Sequence, residues 1–166
     1  MKSEELHYDY MESPIGELQI CAGKKELFSV LFSKTKDHEL ERKMVKSNSV
    51  TVYTKEQLEL YFKKELKKFN LPLKPSGTDF QNRVWRELGN IPFGKTINYL
   101  TLAKELGDAN CIRAAASANG KNPLAIIIPC HRVIGTNGKL VGYAGDLWRK
   151  QWMLEHESQQ SLLFKL

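Results

Sequence analysis

One cysteine of this sequence is followed directly by two side chains that can assist it chemically. Cys130, His131 and Arg132 are consecutive and lie between an apolar run and a turn-forming segment. A cysteine attacks as a thiolate, and an ordinary thiol with a pKa of about 8.5 is only slightly ionised at neutral pH. A histidine can take up the thiol proton, and a carboxylate can orient that histidine. The dipeptide alone leaves two interpretations open, an activated nucleophile or a structural cysteine.

The flanking residues predict how Cys130 is held. Residues 124–128 are apolar and predict a buried strand, and the Asn137-Gly138 pair between two apolar pairs is typical of a β-hairpin turn. Neighbouring side chains on a strand point to opposite faces, so contact between Cys130 and His131 requires a turn or a bridging water. The local pattern does not identify a supporting carboxylate.

The first part of the chain shows the period-two pattern of β-strands. Residues 6–11, 17–22 and 27–32 alternate apolar and polar side chains between turn-forming residues, which predicts an antiparallel meander. A helix over residues 55–69 is predicted next, with Thr54 as its N-cap and an apolar stripe at helical spacing. Four lysines lie mostly off that stripe and are interpreted as a solvated helix face rather than a DNA contact: Lys63, Lys64, Lys67 and Lys68.

A break at residues 71–77 divides the chain. Two prolines and a glycine interrupt both periodicities there, so we expect one domain over residues 1–76 and a second over residues 77–166. The second is expected to be mostly helical, and the fold class to be α+β: a small antiparallel sheet with a helix, then a helical domain. The predicted helices of the second domain cover residues 79–88 after a Thr78 or Asp79 cap, 98–106 before Gly107, 110–119, and 146 or 147 to 157.

Two of these helices, joined at Gly107-Asp108, have the outline of a helix-turn-helix, although the same outline describes two helices that simply pack together. The second of the pair contains a run of small residues at 113–118, so its surface can approach another backbone closely. It offers few side chains that recognise base edges, and we expect any DNA contact to depend little on sequence. A helix buried in a crowded core would explain the small residues equally well.

Composition limits the class of protein. The 166 residues carry a formal net charge of +6, which suits a polyanionic partner without requiring one. No apolar run approaches the roughly 18 residues of a membrane span, and the first residues lack a secretion signal, so we expect a cytoplasmic protein without membrane contact. Cys21, Cys111 and Cys130 form no C-x-x-C pair, which argues against a disulfide framework or a zinc cluster.

The segment Ile128-Pro129-Cys130-His131-Arg132-Val133-Ile134 resembles the active-site signature of the O6-alkylguanine-DNA alkyltransferases, also called methylated-DNA–protein-cysteine methyltransferases. The resemblance covers nearly all of residues 78–166 and, more loosely, the N-terminal strands. It implies a ribonuclease-H-like N-terminal domain, a helix-turn-helix catalytic domain, a monomer and no cofactor. The further matching motifs are Ser13-Pro14-Ile15-Gly16, Pro92-Phe93-Gly94-Lys95-Thr96, Tyr99, Ala103, Arg113-Ala114, Asn122-Pro123, Gly142-Tyr143-Ala144-Gly145 and Leu154-Glu155-His156-Glu157.

The resemblance implies direct reversal of DNA alkylation. Cys130 would accept the alkyl group of O6-alkylguanine, with O4-alkylthymine as an open second substrate, and the resulting thioether could not be reversed. His131 would act as a base through a water, and Glu157 would support it. Asn122 would brace the turn beside the site. Tyr99 would help to rotate the nucleotide and donate a proton to the departing guanine.

The resemblance also implies how double-stranded DNA is bound. The alkylated base must leave the stack before its O6 substituent can be reached, which costs a few kcal/mol. Arg113 would enter the vacated stack from the small-residue helix, which binds the minor groove in this family. Tyr143 would line the base pocket. The other expected contacts with DNA or the base are Ala114, Ala115, Ser117, Arg132, Ala144 and Gly145.

Some positions depart from the family pattern. Some relatives bind a structural zinc in the N-terminal domain, whereas Cys21, His7 and His38 are the available ligands here, so no metal is predicted. Asp146 stands where another small residue is common, and we expect it to cap the last helix rather than to alter the pocket loop. Two residues have no assigned chemistry and are interpreted as packing or surface residues: Cys111 and His156.

Three other functions share part of this pattern. An alkyltransferase-like lesion-binding protein replaces the reactive cysteine, typically with tryptophan, whereas Cys130 is present. An alkylation-responsive transcription regulator carries an added metal-binding domain, for which this sequence is too short. A cysteine hydrolase would need an oxyanion-hole motif, and none is recognisable. The alkyltransferase is therefore the predicted function.

Overall fold

A computed structural model describes residues 2–158 of the chain, and residues 159–166 of the expected second domain lie outside this range. The chain divides into two compact units, Met1–Ser76 and Gly77–Leu166. The first contains a three-stranded sheet and the second is mostly helical, which confirms the α+β fold class. No helix in the described part of the chain is long and apolar enough to cross a bilayer.

The sheet of the first unit is the predicted antiparallel meander. Strands β1 (His7–Met11), β2 (Leu18–Ala22) and β3 (Leu27–Phe32) pair in the order β1-β2-β3. The turn between β1 and β2 closes at Gly16, whose φ of 107° favours glycine. Every residue of β2 is buried, as expected for a central strand.

Helix α1 (Ser49–Phe62) packs against β1 and β2, and its predicted bounds of 55–69 were wrong at both ends. It begins at Asn48, whose side chain accepts a hydrogen bond from the backbone N–H of Thr51 in a reciprocal capping box. Thr54 lies inside the helix, where its hydroxyl donates to the Val50 carbonyl over 2.7 Å. The helix ends at Phe62, about two turns before the end at residue 69 that the apolar stripe suggested. The four lysines are exposed but follow the helix instead of lying on its face: Lys63, Lys64, Lys67 and Lys68.

The second unit places two short strands among four helices in the described residues. Helices α2 (Asp79–Gly89), α3 (Tyr99–Glu105), α4 (Ile112–Gly120) and α5 (Leu147–Glu157) lie close to the predicted ranges. Strands β4 (Ile97–Asn98) and β5 (Val133–Ile134) pair in parallel. Thr78 caps α2 through a capping box with Gln81, and Asn98 caps α3.

Helices α3 and α4 form the predicted helix-turn-helix pair, with contacts to each other and a turn at Gly107, whose φ is 94°. Helix α4 has a buried side and an exposed side, so its small residues fit both interpretations given above, core packing and an accessible surface. Ala115, Ala118 and Asn119 are buried on one side, whereas Arg113, Ala114 and Ser117 are exposed on the other. Small side chains therefore serve the packing on one side of α4 and leave little side-chain bulk on its exposed side.

The apolar segment at residues 124–128 is buried, but its prediction as a strand was wrong. Its backbone folds into consecutive turns, in which the N–H of Ile128 donates to the Leu124 carbonyl over 2.9 Å. Ile126 adopts φ 73°, a conformation that is strained for a β-branched residue by about 1–3 kcal/mol. Surrounding contacts must hold the segment in this shape.

The segment after Cys130 forms the predicted tight turn without the predicted hairpin. The N–H of Gly138 donates to the Gly135 carbonyl over 3.0 Å, and the N–H of Gly135 donates to the Lys139 carbonyl over 2.8 Å. The flanking residues do not form an antiparallel pair of strands, and β5 pairs in parallel with β4.

Candidate active site

Cys130 begins a short 3-10 turn, Cys130–Arg132, directly after Pro129. This turn replaces the extended backbone that would have directed Cys130 and His131 to opposite faces. The Cys130 side chain is buried, with 6% of the residue exposed, and it forms no disulfide. The thiol is therefore largely shielded from bulk solvent.

Asn122 holds the strained segment that leads to Cys130. Its side-chain amide donates to the Ile128 carbonyl over 2.8 Å, and its side-chain oxygen accepts from the N–H of Leu124 over 2.9 Å. These bonds span the turn that contains Ile126. The bracing role that the family resemblance implied for Asn122 has a geometric basis here.

The surroundings of the Cys130 thiol act on its pKa in opposite directions. Burial raises the pKa above the ordinary value, because a thiolate is poorly solvated there. A hydrogen bond from Asn122 and the charge of Lys150 act to lower it, as do backbone N–H groups. The net effect is upward, so the resting residue is a protonated thiol that needs a base before it can attack.

His131 and Glu157 form a buried pair beside Cys130. His131 Nε2 lies 2.7 Å from Glu157 Oε1, and neither side chain is more than 1% exposed. Because the carboxylate accepts the proton of Nε2, the lone pair of a neutral ring lies on Nδ1. Nδ1 is buried and makes no hydrogen bond to the described residues. It is the nitrogen that can take up a proton.

Arg132 completes the environment of Glu157. Its Nε donates to Oε2 over 2.8 Å and its Nη2 to Oε1 over 3.0 Å, while Nη1 donates to the Ile91 carbonyl over 2.7 Å. Burial acts to raise the pKa of Glu157, but His131 and Arg132 outweigh it and hold the pKa well below its usual range. Glu157 is therefore a permanent carboxylate at neutral pH.

Two tyrosines lie around the thiol. The Tyr99 hydroxyl donates to the Val141 carbonyl over 3.2 Å, and burial followed by the negative charge that Cys130 can carry raises its pKa. The same two causes, in the same order, raise the pKa of Tyr143 well above its usual value. The Tyr143 hydroxyl is buried without a hydrogen-bond partner in the described residues. Both phenols keep their protons at neutral pH.

Comparison with known proteins identifies the family. The model of the 6-O-methylguanine DNA methyltransferase ribonuclease-like domain matches residues 6–75. The model of the DNA-binding domain of the same methyltransferase matches residues 79–159. The chain belongs to the methylated-DNA–protein-cysteine methyltransferase family.

Curated relatives in this family match over nearly their full length. The methylated-DNA–protein-cysteine methyltransferase of Methanosarcina barkeri is 42% identical over 153 residues, which is 92% of this chain and 97% of the relative. The protein of that name from Mycobacterium leprae is 42% identical over 158 residues, 95% of each chain.

Solved structures agree with the sequence relatives. The O6-methylguanine methyltransferase of Mycobacterium tuberculosis has a TM-score of 0.82 at 38% identity, covering 95% of this chain and 96% of that one. The structure of M. tuberculosis OGT in complex with DNA has a TM-score of 0.83 at 40% identity, covering 91% and 92%. The fold of the methyltransferase family is thus present in both units.

Two of the residues that the family resemblance assigned to DNA or base contact are buried within the protein. Ala115 is fully buried on the inner face of α4, so its side chain packs internally. Arg132 is buried with its guanidinium directed at Glu157 and Ile91. Both side chains are packed inside the DNA-free protein, and their contact with DNA or the base stays a prediction.

The remaining residues in that set are placed in two groups. Arg113, Ala114 and Ser117 share the exposed face of α4. In the loop before α5, Ala144 is exposed, whereas Gly145 is buried and its carbonyl accepts a hydrogen bond from Arg149 Nη1 over 3.1 Å. No described contact joins the two groups.

Asp146 was expected to cap α5, and it does stand at the N-cap position of that helix. The cap is made by the backbone, because the Asp146 carbonyl accepts from the N–H of Arg149 over 3.1 Å, whereas the side chain makes no capping hydrogen bond. The backbone of Asp146 has φ 75°. Its carboxylate lies 3.2 Å from Arg149 Nη1. This ion pair turns the side chain away from the helix end and holds the start of α5 together.

Sequence analysis missed Lys150, which is fully buried on α5. Its ammonium contacts three backbone carbonyls near Cys130. Helical spacing could have identified it, because Lys150 is three, four and seven positions before Met153, Leu154 and Glu157, all on the buried face. Asn119 was missed too, and its amide donates to the Cys130 carbonyl over 3.4 Å.

The other residues considered as metal ligands or nucleophiles do not form a second site in the described residues. Within residues 2–158, no group of three or more His, Cys, Asp or Glu side chains could hold a metal ion. Cys21 is buried in the sheet and Cys111 is half-buried at the start of α4, and both are free thiols. The ring of His156 stacks on that of Trp152 at a centroid distance of 4.6 Å, which is a packing role.

Proposed function

We propose that this protein repairs O6-alkylguanine in DNA by transferring the alkyl group to Cys130. The observation that carries the proposal is the buried thiol of Cys130 on a turn with His131, whose ring is fixed by a permanent Glu157 carboxylate. The named activity of the full-length relatives supports the same reaction. DNA repair by direct reversal is therefore the function of this family member.

The transfer is a substitution at the alkyl carbon. The proton of Cys130 Sγ moves to His131 Nδ1 through a bridging water, and the thiolate then forms a bond to the alkyl carbon while that carbon's bond to guanine O6 breaks. The electron pair of the broken bond stays with the guanine, which takes a proton from Tyr99. The raised pKa of Tyr99 means that the hydroxyl still carries its proton at neutral pH when the guanine departs.

Glu157 contributes by orientation and charge. It accepts the Nε2 proton of His131 and so keeps the lone pair on Nδ1, and it stabilises the imidazolium once the proton arrives. Arg132 holds both carboxylate oxygens in place. The pair of His131 and Glu157 therefore offsets part of the free-energy cost of forming a buried Cys130 thiolate.

The product is a thioether, which has no leaving group that water or a neighbouring side chain can displace. Each molecule therefore acts once. The same argument covers methyl and larger primary alkyl groups, and O4-alkylthymine stays an open second substrate.

DNA binding is assigned to the exposed face of α4. Its small side chains allow close approach to a sugar-phosphate backbone, and Arg113 at its start is free of the core and carries a positive charge. We propose minor-groove binding, with Arg113 filling the stack while the alkylated base enters the site. The cytoplasmic location and the monomeric state stay predictions from the sequence.

Stoichiometry tests the proposal. Increasing amounts of a duplex containing one O6-methylguanine are mixed with a fixed amount of protein, and restored guanine is counted. We expect one guanine per protein molecule and then no further product. Cys111→Ser should behave like the wild type, and Cys130→Ser should restore none. Sustained turnover, or full repair by Cys130→Ser, would contradict the proposal.

A further inference from the structure

Asp146 ends the pocket loop, residues 141–146, in a conformation that few side chains adopt. Its φ of 75° and ψ of 137° lie among the positive-φ conformations that favour glycine. A residue with a side chain persists in such a conformation only where its surroundings hold it there. The contacts of the Asp146 side chain are therefore expected to offset this strain.

The Asp146 side chain forms an ion pair with Arg149. Its carboxylate lies 3.2 Å from Arg149 Nη1, and the two side chains are only 19% and 8% exposed. The guanidinium also lies over the ring of Trp148, 4.8 Å from the ring centroid. Burial lowers the pKa of Arg149, and the charge of Asp146 acts to raise it. The carboxylate thus compensates a cation that is costly to bury.

Arg149 in turn connects Asp146 to the rest of the pocket loop. The same Nη1 donates to the Gly145 carbonyl over 3.1 Å, and the N–H of Asp146 donates to the Tyr143 carbonyl over 3.2 Å. The charge of Arg149 also acts on the Tyr143 hydroxyl, which is buried and close enough to Cys130 to respond to a thiolate there. The ion pair therefore fixes the end of the loop that carries the tyrosine beside the thiol.

We propose that Asp146 and Arg149 form a latch that holds the pocket loop in one shape, and that this latch makes the protein selective for small O6 substituents. The selectivity rests on the proposed function, because it concerns the group that Cys130 receives. A substituent larger than methyl needs space between the thiol and Tyr143, and the loop supplies that space only by moving. Such movement disturbs the contacts of Gly145 and Asp146 that the latch holds.

Two substitutions break the latch from opposite sides. Asp146→Gly removes the carboxylate and relieves the backbone strain, whereas Arg149→Leu removes the guanidinium and keeps the strain. An effect that both variants share belongs to the latch, since only one of them changes the strain. Glu155→Gln is the matched control, because Glu155 is an exposed carboxylate of α5 that accepts a hydrogen bond from Gln151 over 3.1 Å.

The first measurement is native-state hydrogen exchange of the backbone amide at residue 146. Protection factors correct for the intrinsic exchange rate of each residue type, so aspartate and glycine can be compared directly. We expect the protection factor to fall at least about fivefold in both latch variants and to stay within about twofold of the wild type in Glu155→Gln. Unchanged protection in folded latch variants would overturn the latch. Circular dichroism establishes folding at the assay temperature, and Asp146→Gly decides the test if Arg149→Leu does not fold.

The second measurement is a competition between two duplexes that differ only in a methyl or a benzyl group on one guanine O6. Both duplexes are in equal excess over the protein, and mass spectrometry gives the ratio of methylated to benzylated Cys130 peptide. We expect this ratio to fall at least about fivefold in both latch variants, because the freed loop admits the larger group. The ratio in Glu155→Gln should match that of the wild type.

The outcomes of the competition separate the latch from the proposed function. Transfer to Cys130 with the same ratio in the wild type and the folded latch variants would overturn the selectivity, as would a shift towards methyl. If neither group reaches Cys130 of the wild type, the proposed function fails and the selectivity fails with it. The protection factors still decide in that case whether the latch holds the loop.

Discussion

His131 and Glu157 meet through a 2.7 Å hydrogen bond between Nε2 and Oε1, although 26 positions separate them in the chain. The catalytic turn supplies one partner and the last turn of α5 the other. Arg132 binds the same carboxylate from the other side, so consecutive residues of one turn both contact Glu157. This carboxylate links the reactive turn to the end of the helical unit.

Glu157→Gln is expected to destabilise the protein in a pH-dependent way. The pKa of the folded carboxyl lies below its unfolded value of about 4.5, so its stabilising contribution is complete above that pH and declines as the pH falls. Breaking a buried ion pair costs about 3 kcal/mol near neutrality. The measurement is urea unfolding at several pH values. The free energy of unfolding of the wild type should exceed that of Glu157→Gln at neutral pH, and this difference should shrink between about pH 5 and pH 3.

Glu155→Gln is the control for this measurement, since it makes the same change at an exposed position of the same helix. It should leave the free energy of unfolding within about 0.5 kcal/mol of the wild type. A difference between the wild type and Glu157→Gln that stays constant with pH would show that Glu157 is not the ionised partner inferred here.

Asn122→Asp should weaken the nucleophile while preserving the shape of the residue. The carboxylate can still accept from the N–H of Leu124, but it cannot donate to the Ile128 carbonyl or to the thiolate. A negative charge there raises the pKa of Cys130, and each unit lowers the rate at pH 7 about tenfold. The measurement is the pH–rate profile with free O6-benzylguanine. Asn110→Asp, the same change at an exposed site, should leave the profile unmoved, and an unmoved profile for Asn122→Asp would count against the hydrogen bond.

Arg113→Ala should slow repair of duplex DNA far more than reaction with a free base. Arg113 is exposed at the start of α4, 17 positions before Cys130 in the chain. Rotating a base out of the duplex costs a few kcal/mol, and a side chain that fills the vacated space offsets part of that cost. We expect a loss of at least about tenfold with an O6-methylguanine duplex and little change with O6-benzylguanine. Arg86→Ala removes another exposed arginine charge as a control for bulk electrostatics. Equal losses on both substrates would reject a role in base extrusion.

The sequence predicted regular elements well where the local pattern is strong. The meander follows from strict alternation, and α2 follows from the Thr78 cap with an apolar stripe. Helix α1 was misplaced because Thr54 and Asn48 can both serve as caps by type. A tertiary contact favours Asn48 as the N-cap. Its side chain donates to the Gly23 carbonyl over 2.9 Å, and this bond anchors the start of the helix beside the sheet.

The site was predictable in its chemistry and less so in its packing. Residue types indicated Cys130 and His131, because these two residues are adjacent. Glu157 lies 26 positions after His131 and was identified through the family resemblance alone. Burial could not be inferred for Arg132, since an arginine in a basic protein is more often exposed than paired inside. The shape of residues 124–128 was also hidden, because an apolar run looks the same as a strand or as a buried series of turns.

Peptide-resolved mass spectrometry after one equivalent of O6-methylguanine duplex tests the central claim most directly. The structure predicts that one methyl group replaces one hydrogen on the peptide that contains Cys130, in proportion to the guanine restored. The peptides that contain Cys21 and Cys111 should be unchanged. Methylation of Cys111, or restored guanine with an unmodified Cys130 peptide, would contradict the account.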